Sequence, residues 1–378
     1  VIRVLHVLGT LNLGGAETMI MNLYRSIDRS AIQFDFVIHT KEKCIFTDEI
    51  KSLGGKIYHC PNITQTNVIR YSLWWDSFFS EHTEYKIIHG HMTSTALIYL
   101  SIAKYKGRYT IAHSHSTSSG TGLAGIIKRI TRLPLRYNTD HYFACSKDAG
   151  KYMFGNKVIH GRKFDIVKNP IQTEIFKFNT NIRNEYKKKL DIENKIVLTH
   201  IGRFHPSKNH KFLINVLSSL VNKNANFVLL LVGSGPLLTE IKEYVNHMNL
   251  SDNVKFLGLR EDIPEILSAT DLFLLPSLYE WLGNVAIEAQ ATGLPVFCST
   301  NIPNEVNISG QVSFMPLEIE TWVKSINEFY RSEFGDSKRE LGINFVIKSG
   351  YDVKENAKWL SNYYINIRDE EKYGTKRL

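Results

Sequence analysis

From its first residues the chain alternates short β-branched runs with longer stretches whose apolar positions recur every three or four residues. The runs RVLHVL, FDFVIH, KIIHGH, YTIAHS, HYFACS and FDIV predict strands in the first half, and KIVLTHIG, NFVLLLVG, NVKFLG, DLFLLP and LPVFCS in the second. Strands covered on both faces read as unbroken apolar runs of this kind. Between them, AETMIMNLYRSI and KFLINVLSSLVN have the spacing of amphipathic helices. Interleaved strands and helices make βαβ units, so the class is α/β with parallel sheets. A strand–glycine–helix unit begins near Arg3 and a second near Lys195, and Pro170 interrupts the pattern within VKNPIQTEIFKF. The expectation is two Rossmann-like domains, 1–168 and 169–350, facing each other across a cleft. The last segment, 351–378, carries the helical pattern KENAKWLSNYYINI and is expected to pack back on the first domain.

Sheets of this type place ligands outside the carboxyl ends of their strands, which directs attention to the loops. GTLNLGGAE has Gly14 and Gly15 between a strand and a helix start, where backbone can approach an anion. It lacks the spacing of dinucleotide and P-loop fingerprints. HIGRFHPSKN presents Arg203 and Lys208 ahead of a helix, a combination suited to a diphosphate. LVGSGPL turns on Gly233 and Gly235, and KFLGLREDIPEIL follows the next strand; such loops could enclose a base. Taken singly, each also fits a structural turn or solvated charges.

PSLYEWLGNVAIEAQATGLPV carries Glu280 and Glu288 eight positions apart. Asn284 is read as the N-cap of a helix ended by Gly293, with Glu280 in the loop before it. About 12 Å would separate the two carboxylates on a helix, too far to share a metal or act as a close acid–base pair. The spacing suits two grips on separated hydroxyls of one ligand. Two HxH pairs, His89 with His91 and His113 with His115, fall at successive strand ends. No carboxylate stands where it would support zinc there, and the chain has no DxD for a metal–diphosphate, so polar contacts to a sugar are the reading.

Charge adds a direction. Residues 1–165 hold 21 Lys and Arg against 12 Asp and Glu, whereas the remainder is balanced. The first half therefore faces something anionic, and charge alone leaves nucleic acid, an acidic membrane and a phosphorylated acceptor open. Part of the excess lies in GLAGIIKRITRLPLRYN, where Lys128, Arg129, Arg132 and Arg136 alternate with apolar residues at helical spacing. Such a segment is either an ordinary surface helix or a face for anionic lipid. The four cysteines are widely spaced with no CxxC pair, which fits buried thiols in a reducing compartment. IRVLHVLG reads as a strand rather than a signal peptide, and no apolar run is long enough to span a bilayer.

In their order along the chain, these elements resemble one family, the retaining GT-B glycosyltransferases of family 4 (group 1), especially those of exopolysaccharide and capsule synthesis. The resemblance runs through GGAETMIMNLYR, IAHSHS, YFACSKDAGKYMFG, GRFHPSKN, GSGP, FLG and the E-x7-E element, nearly the whole chain. It implies that Arg203 and Lys208 hold the diphosphate of a nucleotide-sugar donor, with a UDP-sugar expected. Glu288 would take the ribose hydroxyls and Glu280 those of the transferred sugar. Backbone of Gly283, Asn284 and Val285, with the Gly14–Gly15 loop, would meet sugar and phosphate, and Gly233 and Gly235 the base pocket. His115, in preference to His113, matches the histidine near the reacting sugar. The family pattern has Gly after the first glutamate, where this chain has Trp281.

The expected activity is metal-independent, cofactor-free transfer of a sugar with retention of configuration. The acceptor would be a lipid-linked saccharide rather than nucleic acid, and the protein cytoplasmic or peripheral at the inner membrane face. Two other readings stand beside it, a glycosyltransferase for a small soluble acceptor and a non-catalytic nucleotide-sugar-binding protein.

Overall fold

The computed structural model describes residues 1–12, 14–64, 66–92, 94–115, 135–222, 226–280, 282–331 and 336–373. The chain divides into two compact units, one of Val1–Ile171 with Asp352–Leu378 and one of Gln172–Tyr351.

In the first unit, strands β1 (Ile2–Leu8), β2 (Ile32–Ile38), β3 (Ile57–His59), β4 (Ile87–Gly90), β5 (Tyr109–Ser114), β6 (His141–Ala144) and β7 (Phe164–Ile166) form one sheet. Their order is β3-β2-β1-β4-β5-β6-β7 with parallel pairing throughout. The second unit has β8 (Ile196–Ile201), β9 (Phe227–Val232), β10 (Val254–Gly258), β11 (Leu272–Leu275), β12 (Val296–Ser299) and β13 (Val312–Met315), ordered β10-β9-β8-β11-β12-β13 and again parallel. Both sheets are therefore Rossmann-like, and each reverses its direction of winding once, between β1 and β4 and between β8 and β11. Such a switch point leaves a crevice at the carboxyl ends of the two strands.

Strands β3 and β13 went unforeseen. The first is three residues long, and both sit at or beside an edge where pairing, not a buried apolar run, defines them. By contrast every residue of β2 and of β9 is buried, which is why their sequences announce them.

Helices cover both faces. In the first unit Met19, Ile20, Leu23, Phe34 and Phe36 pack with Ala357, Leu360 and Tyr364, so the helix Val353–Tyr373 returns to complete that core. Trp75, Phe79 and Tyr99 fill the opposite face. The chain leaves and re-enters this unit at adjacent points, joined by the bridge between Ile171 and Asp352. In the second unit Leu213, Leu217, Leu229, Leu231, Trp322 and Ile326 form the main core. There the buried Arg339 donates to the carbonyls of Leu267, Ser268, Thr270 and Thr292 and stacks 4.0 Å from the Phe178 ring. These bonds offset the cost of burying its charge.

All four cysteines are buried and free. Among the described residues no helix is long and apolar enough to cross a membrane.

Candidate active site

The second unit gathers its candidate residues around the β8/β11 switch point. After β8 the chain passes the exposed Arg203 and the buried Phe204, makes a tight turn at Pro206–Lys208, and enters the helix His210–Val221 through Asn209 in a left-handed conformation, φ 57°. After β11 it runs through Pro276 and Ser277 to Glu280. Three bonds tie the two loops together. Lys208 forms an ion pair with Glu280, Leu278 N–H donates to Ser207 O at 2.8 Å, and Asn209 Nδ2 donates to Pro276 O at 3.3 Å. Ser277 Oγ adds a 2.8 Å bond to Glu280 Oε1. The Lys208 and Glu280 side chains are 19% and 11% exposed, so solvent screens the pair only in part. Arg203 has no ion pair among the described residues, leaving its guanidinium available to a ligand.

The loop after β9 presses on the same place. Phe204 N–H donates to Ser234 O at 3.0 Å, and Leu237 N–H donates back to Phe204 O at 3.0 Å. Gly233 (φ 136°) and Gly235 (φ 159°) are needed for this approach. A Cβ on the first would lie 2.2 Å from Gly202 O, and on the second 2.5 Å from Phe204 O. The two glycines thus lock the GSGP turn against the arginine loop.

Glu288 stands on the helix Asn284–Ala291. Its N-cap is Gly283 and not, as expected, Asn284. Gly283 adopts a left-handed conformation, φ 75°, which turns the loop sharply enough to make Asn284 the first helical residue. Freed from capping, Asn284 Oδ1 is buried without a partner among the described residues, an acceptor held ready beside the loop. Val285 follows, partly exposed. Glu280 stays in the loop, and Trp281 lies outside the described residues.

Part of the Glu288 surface still reaches solvent, yet protein crowds its carboxyl, and that burial pushes its pKa from 4.5 to about 7. The sign of the consequence follows from linkage. Between pH 4.5 and 7 the unfolded chain has lost this proton and the folded protein keeps it, so stability falls as pH rises through that window. Glu288→Gln removes the dependence. The melting temperature of this variant relative to the wild type should rise from pH 5 to about pH 7 and level off above it, and parallel curves would show that the carboxyl is not buried as described.

In the first unit Gly14 caps the helix Gly15–Ser26 in an extended conformation, with the Glu17 carboxyl folded over it, and Gly15 faces open space. Both lie beyond the carboxyl end of β1, at the β1/β4 switch point. The two HxH pairs are brought together because residues two apart in a strand share a face. His6 on β1 joins them through its register with His89 on β4. His6 Nδ1 meets His91 Nε2 at 3.0 Å, and His91 Nδ1 meets His115 Nε2 at 2.8 Å. Beside this chain, His89 binds His113 at 3.1 Å and the Tyr364 hydroxyl at 2.6 Å. Burial lowers all five pKa values, that of His115 to about 4 and that of His6 to about 3, so the rings are neutral.

Nitrogens of His6, His89 and His91, and of His91, His113 and His115, lie within 4.8 Å of one another and could hold a metal. Two pairs of these rings, His6 with His91 and His91 with His115, are joined by hydrogen bonds.

His6, Ser277 and Tyr364 are participants that the sequence reading missed. His6 could have been found from strand parity once β1 was paired with β4; the other two have no local signal. Lys128, Arg129 and Arg132 lie outside the described residues, and Arg136 falls on the short helix Leu135–Asn138 with its side chain not described.

Residues 13–175 match the family described as Glycosyltransferase Family 4, and residues 182–344 match Glycosyl transferases group 1. EpsF of Bacillus subtilis (strain 168), which carries glycosyltransferase in its name, is 35% identical over 98% of this chain and 97% of its own. The UDP-Gal:alpha-D-GlcNAc-diphosphoundecaprenol alpha-1,3-galactosyltransferase of Escherichia coli is 29% identical over 69% of this chain and 76% of its own. Among solved structures, HepE of Anabaena in complex with UDP is similar with a TM-score of 0.79 and 18% identity, covering 96% of this chain and all of that one. The likeness to HepE is one of fold.

Proposed function

The chain belongs to the group 1 glycosyltransferases, and we propose that within this family it transfers a sugar from a UDP-sugar to a lipid-linked saccharide with retention of configuration. The observation that carries the reading is the meeting of Lys208 and Glu280, 72 residues apart in sequence, at the β8/β11 switch point with Arg203 beside them and Glu288 on the adjoining helix. A cation and a carboxylate held there serve the two ends of a sugar diphosphate. Arg203 and Lys208 take the diphosphate, and Glu280 accepts hydrogen bonds from sugar hydroxyls. Glu288 accepts from the ribose, with backbone at Gly283, Asn284 and Val285 alongside. Gly233 and Gly235 border the base, while Gly14, Gly15 and His115 serve phosphate and reacting sugar.

As the bond to the leaving diphosphate breaks, negative charge grows on its oxygens and positive charge on the sugar ring. Arg203 and Lys208 stabilise the former. The reading requires no resident metal or cofactor. The E. coli galactosyltransferase, whose name specifies both a UDP-sugar and a diphosphoundecaprenol acceptor, supports the donor and acceptor classes. The HepE structures in complex with UDP and with UDP-glucose support the donor. The basic excess of residues 1–165 supports an acceptor displayed on an anionic membrane face, with the protein working at the cytoplasmic side of that membrane in this reading.

A panel of UDP-sugars tested against lipid-diphosphate saccharides, with products weighed by mass spectrometry, checks this directly. UDP release together with a lipid product one sugar heavier is expected, and NMR of the anomeric proton should show retention. Transfer only to soluble acceptors would overturn the acceptor class, and binding without turnover for every pair would overturn the activity.

A further inference from the structure

Lys208 and Glu280 have separate parts in the proposed reaction, the diphosphate and the transferred sugar, yet the fold makes them an ion pair. The Lys208 ammonium and Ser277 Oγ both donate to one oxygen, Glu280 Oε1, while Oε2 accepts no hydrogen bond among the described residues. Ser277 is fully buried and its carbonyl accepts from Ser299 Oγ at 2.6 Å, so the carboxylate is anchored from the protein side. The lysine has a flexible stem and three donors, and can keep Glu280 while reaching a phosphate oxygen. Any diphosphate held by Lys208 therefore lies next to a fixed negative charge whose side chain is only 11% exposed. Solvent screens such a neighbour only in part.

That charge acts differently on the two nucleotides the site must handle. In a UDP-sugar the terminal phosphate is esterified and carries one charge, and the sugar hydroxyls beyond it can donate to Glu280 Oε2. Transfer breaks the bond between the anomeric carbon and a β-phosphate oxygen. The electron pair stays on that oxygen, and the acceptor hydroxyl gives up its proton as it bonds to the sugar. The terminal phosphate of UDP loses its second proton at about pH 6, so at neutral pH it carries one charge more than in the donor. In this reading the added charge forms on the phosphate beside Lys208, just as the hydroxyls that satisfied Glu280 leave. The cations alone would favour UDP, the more highly charged of the two, and leave the enzyme inhibited by its own product. The carboxylate offsets that preference.

We propose that Glu280 is a specificity-determining residue for the donor against its product: anchored by Ser277 beside Lys208, it accepts the hydroxyls of a UDP-sugar and weakens the hold of the site on UDP, so that the spent nucleotide leaves. The inference rests on the assignment of Arg203 and Lys208 to the diphosphate.

The test is titration calorimetry on the full chain at pH 8 with UDP, UMP, UDP-glucose and UDP-galactose, for the wild type and Glu280→Gln. Gln has the size of Glu, and its amide oxygen can still accept from Ser277 and Lys208, so the variant changes charge with little change of shape. Glu280→Gln should bind UDP about tenfold more tightly, the order expected when one charge is removed beside a partly screened anion. UMP, which lacks the terminal phosphate, should change much less. UDP-glucose and UDP-galactose should gain nothing, because weaker bonds to their hydroxyls offset the lost repulsion. Arg203→Ala should weaken UDP in either background, which checks the underlying assignment separately. Equal UDP affinity in the wild type and Glu280→Gln would overturn the proposal and leave the diphosphate assignment standing. A gain shared equally by UMP or by the UDP-sugars would overturn it too, since Glu280 would then repel anions without distinguishing donor from product. UDP that fails to bind, or binds unaffected by Arg203→Ala, would overturn the diphosphate assignment and the proposal with it.

Discussion

Lys208→Ala should lower turnover by a hundredfold or more, on the order of the loss seen when one preorganised donor to a developing anion is removed. In the proposed function the lysine meets the diphosphate where charge grows, so the loss should fall on kcat more than on UDP affinity. Two effects would be mixed in that number, because removing the lysine also strips the partly buried Glu280 of its ion pair. Pairing the change with Glu280→Gln separates them. The double variant should recover thermal stability, since no lone carboxylate is left, and should not recover turnover. Arg203→Ala, on an exposed side chain with no ion pair among the described residues, should cost turnover with little change in stability. Nearly unchanged rates in both Arg203→Ala and Lys208→Ala would remove the diphosphate assignment.

Gly233→Ala should be among the most damaging of the single-methyl changes. Its Cβ would sit 2.2 Å from Gly202 O, against backbone that cannot rotate away, at a φ of 136° that side chains rarely adopt. The GSGP turn must then separate from the arginine loop, and the Phe204 bonds to Ser234 and Leu237 go with it. Strain of about 1–3 kcal/mol plus the lost bonds should lower the melting temperature by several degrees and weaken UDP binding strongly. Gly258→Ala is the control. It also has a positive φ, 69°, but its Cβ would meet nothing within 4 Å, so only the backbone term remains. Equal effects at the two positions would mean that the close approach at Gly233 contributes nothing.

How much of this was legible in the chain depended on whether the determining contacts were local. Phe227–Val232 declares itself because burial on both faces demands an apolar run, and Ile32–Ile38 by its aromatic and β-branched residues around Gln33 and Asp35. Ile57–His59 does not, since its pairing with β2 rather than its composition makes it a strand. The E-x7-E spacing correctly put Glu280 in the loop and Glu288 on the helix, but the capping of that helix was not readable. The left-handed Gly283 displaced an Asn that has the right chemistry for the task. Lys208 and Glu280 were singled out separately, and only the adjacency of β8 and β11 makes them partners. The histidines show the same limit. HxH spacing puts His89 with His91 and His113 with His115, but nothing near His6 announces that it will stand beside them.

The helix Val353–Tyr373 sets an order of assembly. Residues 172–351 form a complete unit, so this sheet can close while the last segment is still being synthesised. The unit that is begun first is finished last. Until Ala357, Leu360 and Tyr364 arrive, one face of its sheet is covered only in part, by the helix Gly15–Ser26, with His89 lacking its tyrosine and Phe34 lacking the Tyr364 ring. Nascent chains stalled before residue 352 should therefore hold a protease-resistant second unit beside a first unit that chaperones retain.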